Sequence, residues 1–305
     1  MSKRVCVVML GIAMLIVSAN VGAATKFSDW STPTNLGTTV NSGAVDGAPA
    51  SSKDGLSLYF NSVRAGGYGD NDIWVSQRES EDSAWGTPAN LGSTVNTEAA
   101  EAAPSFSRDG HWMFFNSNRS GGIGGIDIWA SYREHVHDDF DWGTPVNLGS
   151  GVNSDASEQG CTLFDDTSDG VPVLYFGSNR AGGMGAFDIY VSVQQSDGSF
   201  GDAELVTELS STNGDLRPII RYDGLELFLH SNRAGGQGAL DLWVSTRGSV
   251  DDDWGTPVNL GSTVNSAAGE QQAYISSDGT TLYFASTRSG GSGALDLYMT
   301  TRNKE

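Results

Sequence analysis

Residues 116–129, NSNRSGGIGGIDIW, set a glycine-rich turn between an arginine and an aspartate. The same pattern returns as NSVRAGGYGDNDIW from Asn61, GSNRAGGMGAFDIY from Gly177, HSNRAGGQGALDLW from His230 and ASTRSGGSGALDLY from Ala285. In each of the five copies the aspartate lies eight residues after the arginine, while the arginines themselves are 53 to 61 residues apart. Spacing that is rigid within a unit and loose between units is what a fixed hairpin joined by tolerant loops produces.

Each unit reads as four short strands. A small-residue segment such as APSFS (from Ala103) is followed by an Asp-Gly pair, here Asp109-Gly110, whose glycine accepts the positive φ of a tight turn. The second strand is apolar on both faces (LYF at 58–60, MFF at 113–115), the third is DIWVS or a variant, and the fourth carries WGTPxNLG from Trp85, Trp142 and Trp254, with Phe200 in the third unit. Strands apolar on both faces must be covered on both faces, which four-stranded sheets arranged around an axis achieve. The expected fold is therefore all-β: a five-bladed β-propeller of four-stranded antiparallel blades. Near the N-terminus DWSTPTNLG, from Asp29, is a fourth strand without its first three, and LDLYMTTR near the C-terminus is a third strand without its fourth. The N-terminal strand is expected to complete the last blade and close the ring, leaving no open edge.

The first 23 residues read as an export signal: Lys3 and Arg4, an apolar run from Val5 to Val17, then Val21 and Ala23 as small cleavage-site residues. The expected division is a signal peptide over 1–23 and a propeller over 24–305, exported to the periplasm or the exterior. Of the two cysteines, Cys6 falls in the signal, leaving Cys161 without an internal partner. It stands where neighbouring units have Pro49, Pro104 and Pro218 and reads as a buried small thiol. With 37 acidic and 17 basic residues the net charge is −20. Such a surface repels phosphate backbones, so nucleic acid is not an expected partner. No membrane insertion is expected after signal cleavage, and a monomer is expected.

The stretch EAAPSFSRDGHWMFFNSNRSGGIGGIDIW, beginning at Glu101, resembles the WD40-like propeller repeat of bacterial envelope proteins, the repeat of TolB-type proteins and of propeller modules attached to OmpA-like domains. The resemblance covers all five units and implies the propeller fold and an envelope setting. TolB-type proteins have six units, so a TolB role is not implied.

The glycine turn is not a phosphate loop, because no lysine follows it and a strand rather than a helix comes next. The expectation is mechanical: Arg64, Arg119, Arg180, Arg233 and Arg288 each clasp the aspartate of the same turn, Asp72, Asp127, Asp188, Asp241 and Asp296. The aromatics after those aspartates (Trp74, Trp129, Tyr190, Trp243, Tyr298) read as core between blades. One acid precedes each inner strand: Asp46, Glu101, Glu158, Asp215 and Glu270. Either each is bonded within its own blade, or they converge on the axis, where five carboxylates would hold a cation such as calcium or act on a glycosidic bond. Departures from the repeat single out Arg217, among Ala48, Ala103, Gly160 and Gln272, and His230, among Asn61, Asn116, Gly177 and Ala285. HVHDDFDW, from His135, is a candidate metal cluster that reads more simply as a solvated loop. The leading expectation is a non-catalytic binding or scaffold propeller engaging a protein or glycan near the axis, with no resident cofactor. The alternatives are a carbohydrate-active enzyme, a hydrolase or lyase using axis carboxylates, and a calcium-stabilised structural module.

Overall fold

The computed structural model describes residues 25–305; the expected signal segment lies outside them. Twenty strands, numbered β1–β20 in chain order, form five antiparallel sheets of four. The inner strands are β2 (Asp46–Ser51), β6 (Glu101–Phe106), β10 (Glu158–Phe164), β14 (Asp215–Ile220) and β18 (Glu270–Ile275), and they open blades 1 to 5 in that order. Blade 5 is completed as expected by β1 (Thr34–Asn35), which pairs with β20 (Asp296–Thr301) through Thr34–Met299 and Asn35–Tyr298. The WGTPxNLG motif contributes less strand than its length promises, since the outermost strands are two residues long.

The core lies between blades rather than within one. Tyr59 and Ile73 of blade 1 pack with Phe115 and Trp129 of blade 2 in a single buried cluster, and the other clusters repeat that arrangement around the ring. This is why the second strands are apolar on both faces: Ser57–Ser62 is buried at every position. Main-chain stitches link neighbours as well. Parallel bridges join Asn71 to Ala100, Ile126 to Ser157, Phe187 to Gly214, Leu240 to Gly269 and, across the closure, Val45 to Leu295. Among the described residues no helix is long and apolar enough to cross a membrane.

Each inner strand carries an irregularity two residues after its acid, where Ala48, Ala103, Gly160, Arg217 and Gln272 adopt left-handed φ of 48° to 58°. Four of these five residues are not glycine, so the conformation is imposed by the packing of inner strands at the axis rather than chosen by the side chain.

Candidate functional site

The glycine-turn arginines do not clasp the aspartates eight residues downstream; that expectation is corrected. Each instead pairs with the acid that opens its own inner strand: Arg64 with Asp46 (2.6 Å), Arg119 with Glu101 (3.1 Å), Arg180 with Glu158 (3.1 Å), Arg233 with Asp215 (2.5 Å) and Arg288 with Glu270 (3.1 Å). Asp72 accepts from the N–H groups of Tyr68 (2.5 Å) and Gly69 (3.3 Å) and from Asn90 (3.1 Å), tying the turn to the outermost strand. Asp127, Asp188, Asp241 and Asp296 accept from the corresponding turn N–H groups. A Cβ on the second glycine of the turn, Gly67 in blade 1, would strike that carboxylate, which explains its glycine.

The five inner-strand acids are fully buried and do not converge on one ligand. Asp46 accepts from Ser42 N–H, Ser42 Oγ, Ser62 Oγ and Arg64. Glu101, Glu158 and Glu270 repeat this set, and Asp215 accepts from Ser211 N–H and Arg233. Among the described residues no group of three or more His, Cys, Asp or Glu side chains is placed to hold a metal ion. HVHDDFDW is not simply solvated either. Asp139 is buried and accepts from Ser57 (2.5 Å), Tyr59 (2.5 Å) and Gln77 (2.7 Å) of blade 1 and from Arg133 (3.3 Å), strapping blade 2 to blade 1.

The two odd residues have distinct explanations. In blades 1 and 2 the side-chain oxygens of Asn61 and Asn116 accept from Ala103 N–H (3.4 Å) and Gly160 N–H (3.3 Å) of the next blade. His230 takes that part in blade 4, its Nδ1 accepting from Gln272 N–H (3.3 Å). Ala285 cannot accept, and the Gln272 side chain serves Ala48 N–H instead (3.0 Å). Burial, then the nearby Arg217 charge, pull the His230 pKa down to about 3, so the ring is neutral. Arg217 crosses the channel from blade 4, its Nη2 donating to the carbonyls of Pro49 (2.9 Å) in blade 1 and Pro104 (3.3 Å) in blade 2.

Beyond Arg217, toward the Asp-Gly turns, the channel opens as a shaft of about 70 Å³. The residues before those turns frame the mouth. Tyr222 reaches across from blade 4 to the Arg108 carbonyl of blade 2 (2.6 Å), with the Arg108 guanidinium (4.3 Å) and Lys53 ammonium (5.5 Å) against its ring. Ser107, Leu163 and Asp165 are shared with a groove of about 360 Å³ between blades 2 and 3. The groove holds Asp109 and Trp112, the latter 38% exposed and edge-on to Tyr132 (5.1 Å). Burial raises the Asp165 pKa despite the Arg108 charge. For Asp109 burial works in the same direction, but bonds from Ser107 and the His111 N–H outweigh it and hold the group below its ordinary value. The two carboxyls are thus shifted in opposite directions; the lowering at Asp109 comes from the turn's own contacts, which Asp54 and Asp278 repeat.

Solved structures share the fold. A thermostable family-43 glycoside hydrolase superposes with a TM-score of 0.58 at 14% identity, covering 90% of this chain and 92% of that one. The alpha-L-arabinofuranosidase from Lactobacillus brevis gives 0.56 at 12%, covering 85% and 90%. A putative TolB from Agrobacterium tumefaciens gives 0.50 at 17%, covering 86% and 78%. No family model and no curated protein matches the chain. At these identities the likeness is one of fold, and the resemblance to the TolB-type repeat stands at that level.

Blade 3 departs most from the repeat, and it forms one wall of the groove. Elsewhere an arginine six residues after the third-strand aspartate stacks on the WGTP tryptophan: Arg78 on Trp85 (4.3 Å), Arg133 on Trp142 (4.4 Å), Arg247 on Trp254 (4.2 Å) and Arg302 on Trp30 (4.4 Å). Its Nε donates to the carbonyl of the Asp-Gly glycine (2.7 to 2.9 Å). Blade 3 has Gln194 and Phe200 at these two positions, and both line the groove. The paired departure is visible in the repeat and marks the groove. Asp165, Trp112 and Tyr222 carry no such signal, because each sits in a loop or edge position where the repeats vary.

Proposed function

We propose that this chain is an exported carbohydrate-recognising propeller whose ligand lies along the groove between blades 2 and 3 and ends at the channel mouth. The observation that carries this reading is the continuity of the two spaces through Asp165, with Trp112 along one and a hydroxyl-rich mouth at the other. An exposed indole supplies a flat apolar face for a sugar ring, and Ser51, Ser105, Ser107 and Thr162 supply donors and acceptors for its hydroxyls. The glycoside hydrolases of like fold, two of them in complex with xylotriose, support a sugar as the ligand class. Export rests on the signal pattern of residues 1–23.

A second reading, hydrolysis of the bound glycan, is favoured by one observation: Asp165 is held protonated more readily than Asp109 beside it. Asp165 would donate to the glycosidic oxygen and Asp109 would act as base or nucleophile. The inner-strand acids are excluded from that chemistry by their burial and their complete sets of partners.

Both readings meet one experiment. Neutral oligosaccharides, xylotriose first, are titrated into the protein by calorimetry and then assayed for reducing ends. Trp112→Ala is expected to weaken binding by about 2 kcal/mol with little change in melting, since the side chain is exposed. Absence of saccharide binding to the unmodified protein overturns the proposal. Release of reducing ends that Asp165→Asn abolishes, with binding retained, establishes the hydrolytic reading; binding without release removes it.

A further inference from the structure

The boundary between blades 2 and 3 lacks three side chains that the other boundaries use together. In blades 1, 2 and 4 the arginine that stacks on the WGTP tryptophan also reaches a tyrosine of the preceding blade. Arg133 Nη1 donates to the Tyr59 hydroxyl (3.0 Å), and Arg78 and Arg247 lie beside the Tyr283 and Tyr175 hydroxyls. For blade 5 the tyrosine position of the preceding blade holds Phe228, and Arg302 meets the Glu226 carboxylate instead (3.0 Å). Each of these four slots is filled by a guanidinium. Between blades 2 and 3 the tyrosine is Phe114, the arginine is Gln194 and the tryptophan is Phe200, and all three line the groove of about 360 Å³. The groove is thus the slot whose own cation is missing.

Its acids are nevertheless present. Asp109 and Asp165 line the groove, and among the described residues no lysine, arginine or histidine does. Asp109 Oδ1 accepts from Ser107 Oγ (2.6 Å) and from the His111 N–H (3.1 Å), while Oδ2 accepts from no described residue. Equivalent turn acids face basic side chains: Asp54 meets His137 (3.6 Å) and Asp223 meets Arg221 (2.6 Å). Neither Asp109 nor Asp165 forms an ion pair with a described residue, and the nearby Arg108 is paired with Asp166. Trp112 adds an exposed indole, whose face attracts a cation. Two carboxyl groups and an aromatic face with no base among them suit a positive charge, and a space of this size admits the sugar ring that would carry it.

We propose that the groove takes an amino sugar, a glucosamine-type unit of the glycan, its ammonium group set where the other blades place a guanidinium, with Asp109 as counter-ion and Trp112 against the ring. This rests on the carbohydrate reading above and narrows its ligand to a cationic saccharide. The glucosamine trimer, its N-acetylated form, xylotriose and trilysine are titrated at about pH 6, where the amines are protonated. The proteins compared are the unmodified chain, Asp109→Asn and the double variant Gln194→Arg with Phe200→Trp. Asparagine keeps the Oδ1 that serves Ser107 and His111, so Asp109→Asn is expected to fold and melt as the parent does. The glucosamine trimer is expected to bind the unmodified protein at least about tenfold more tightly than its N-acetylated form. Asp109→Asn is expected to remove about tenfold of that affinity and to leave xylotriose unchanged, and the double variant, its slot refilled by a guanidinium, loses the preference. Trilysine has the same net charge without the rings and is expected to bind weakly. Glucosamine-trimer binding no tighter than that of its N-acetylated form or of trilysine, or a preference unchanged in either variant, overturns the inference; saccharide binding then leaves the carbohydrate reading in place. Binding of no saccharide overturns both.

Discussion

His230 holds its place only while Nδ1 is unprotonated. In the unfolded chain its pKa returns to about 6.5, against about 3 in the fold. Between those values the unfolded state binds the proton and the folded state does not, so the contribution of His230 is complete above about pH 6.5 and is lost as the pH falls toward 3. The loss between pH 7 and pH 4 is on the order of 3 kcal/mol. His230→Asn, the residue that blades 1 and 2 use for the same bond, is expected to remove that part of the acid sensitivity while leaving stability at pH 8 nearly unchanged. Melting curves of the two proteins across pH 4 to 8 check this, and parallel curves would refute it. The repeat alone made His230 and Arg217 visible as departures. It did not reveal which was structural, because that depends on what the next blade presents: a backbone N–H to His230, two carbonyls and no carboxylate to Arg217.

At the scale of the element, blade 3 lacks the arginine–tryptophan stack that the other four blades carry. Gln194→Arg with Phe200→Trp is expected to restore it. The gain should be about 1 kcal/mol of stability, read as a rise in melting temperature that neither single change gives. The gain is limited because the loop 165–171 differs from the short turns of the other blades, so the second contact, Nε to the turn glycine, is not restored. A double variant no more stable than the sum of its singles would show that the stack contributes nothing. Strand order and blade count were legible from the 53–61 residue period and the turn signals. The pairing of the arginines was not, although a second invariant pointed to it: arginine and inner-strand acid are 18 residues apart in four blades and 22 in blade 3. Proximity in sequence favoured the nearer aspartate, whereas the antiparallel register places Ser62 opposite Asp46 and so brings Arg64 to it.

Over the whole molecule, stability rests on closure. Trp30, just before β1, stacks under Arg302 (4.4 Å) and meets Phe228 of blade 4 edge-on (6.2 Å), so it joins the closing strand to two blades at once. Trp30→Ala is expected to cost about 2 kcal/mol and to speed unfolding more than it slows folding. Stopped-flow kinetics check the second point, and an unchanged unfolding rate would place the closing contact early in folding.

The same joint has a consequence for biosynthesis. Thr34 is among the first residues of the ring to leave the ribosome, and its partner Met299 among the last. Until the final turn emerges, the nascent chain carries at most four finished blades and two bare flanks. Until β1 meets β20, those flanks present unpaired strand edges on which a neighbouring polypeptide could add.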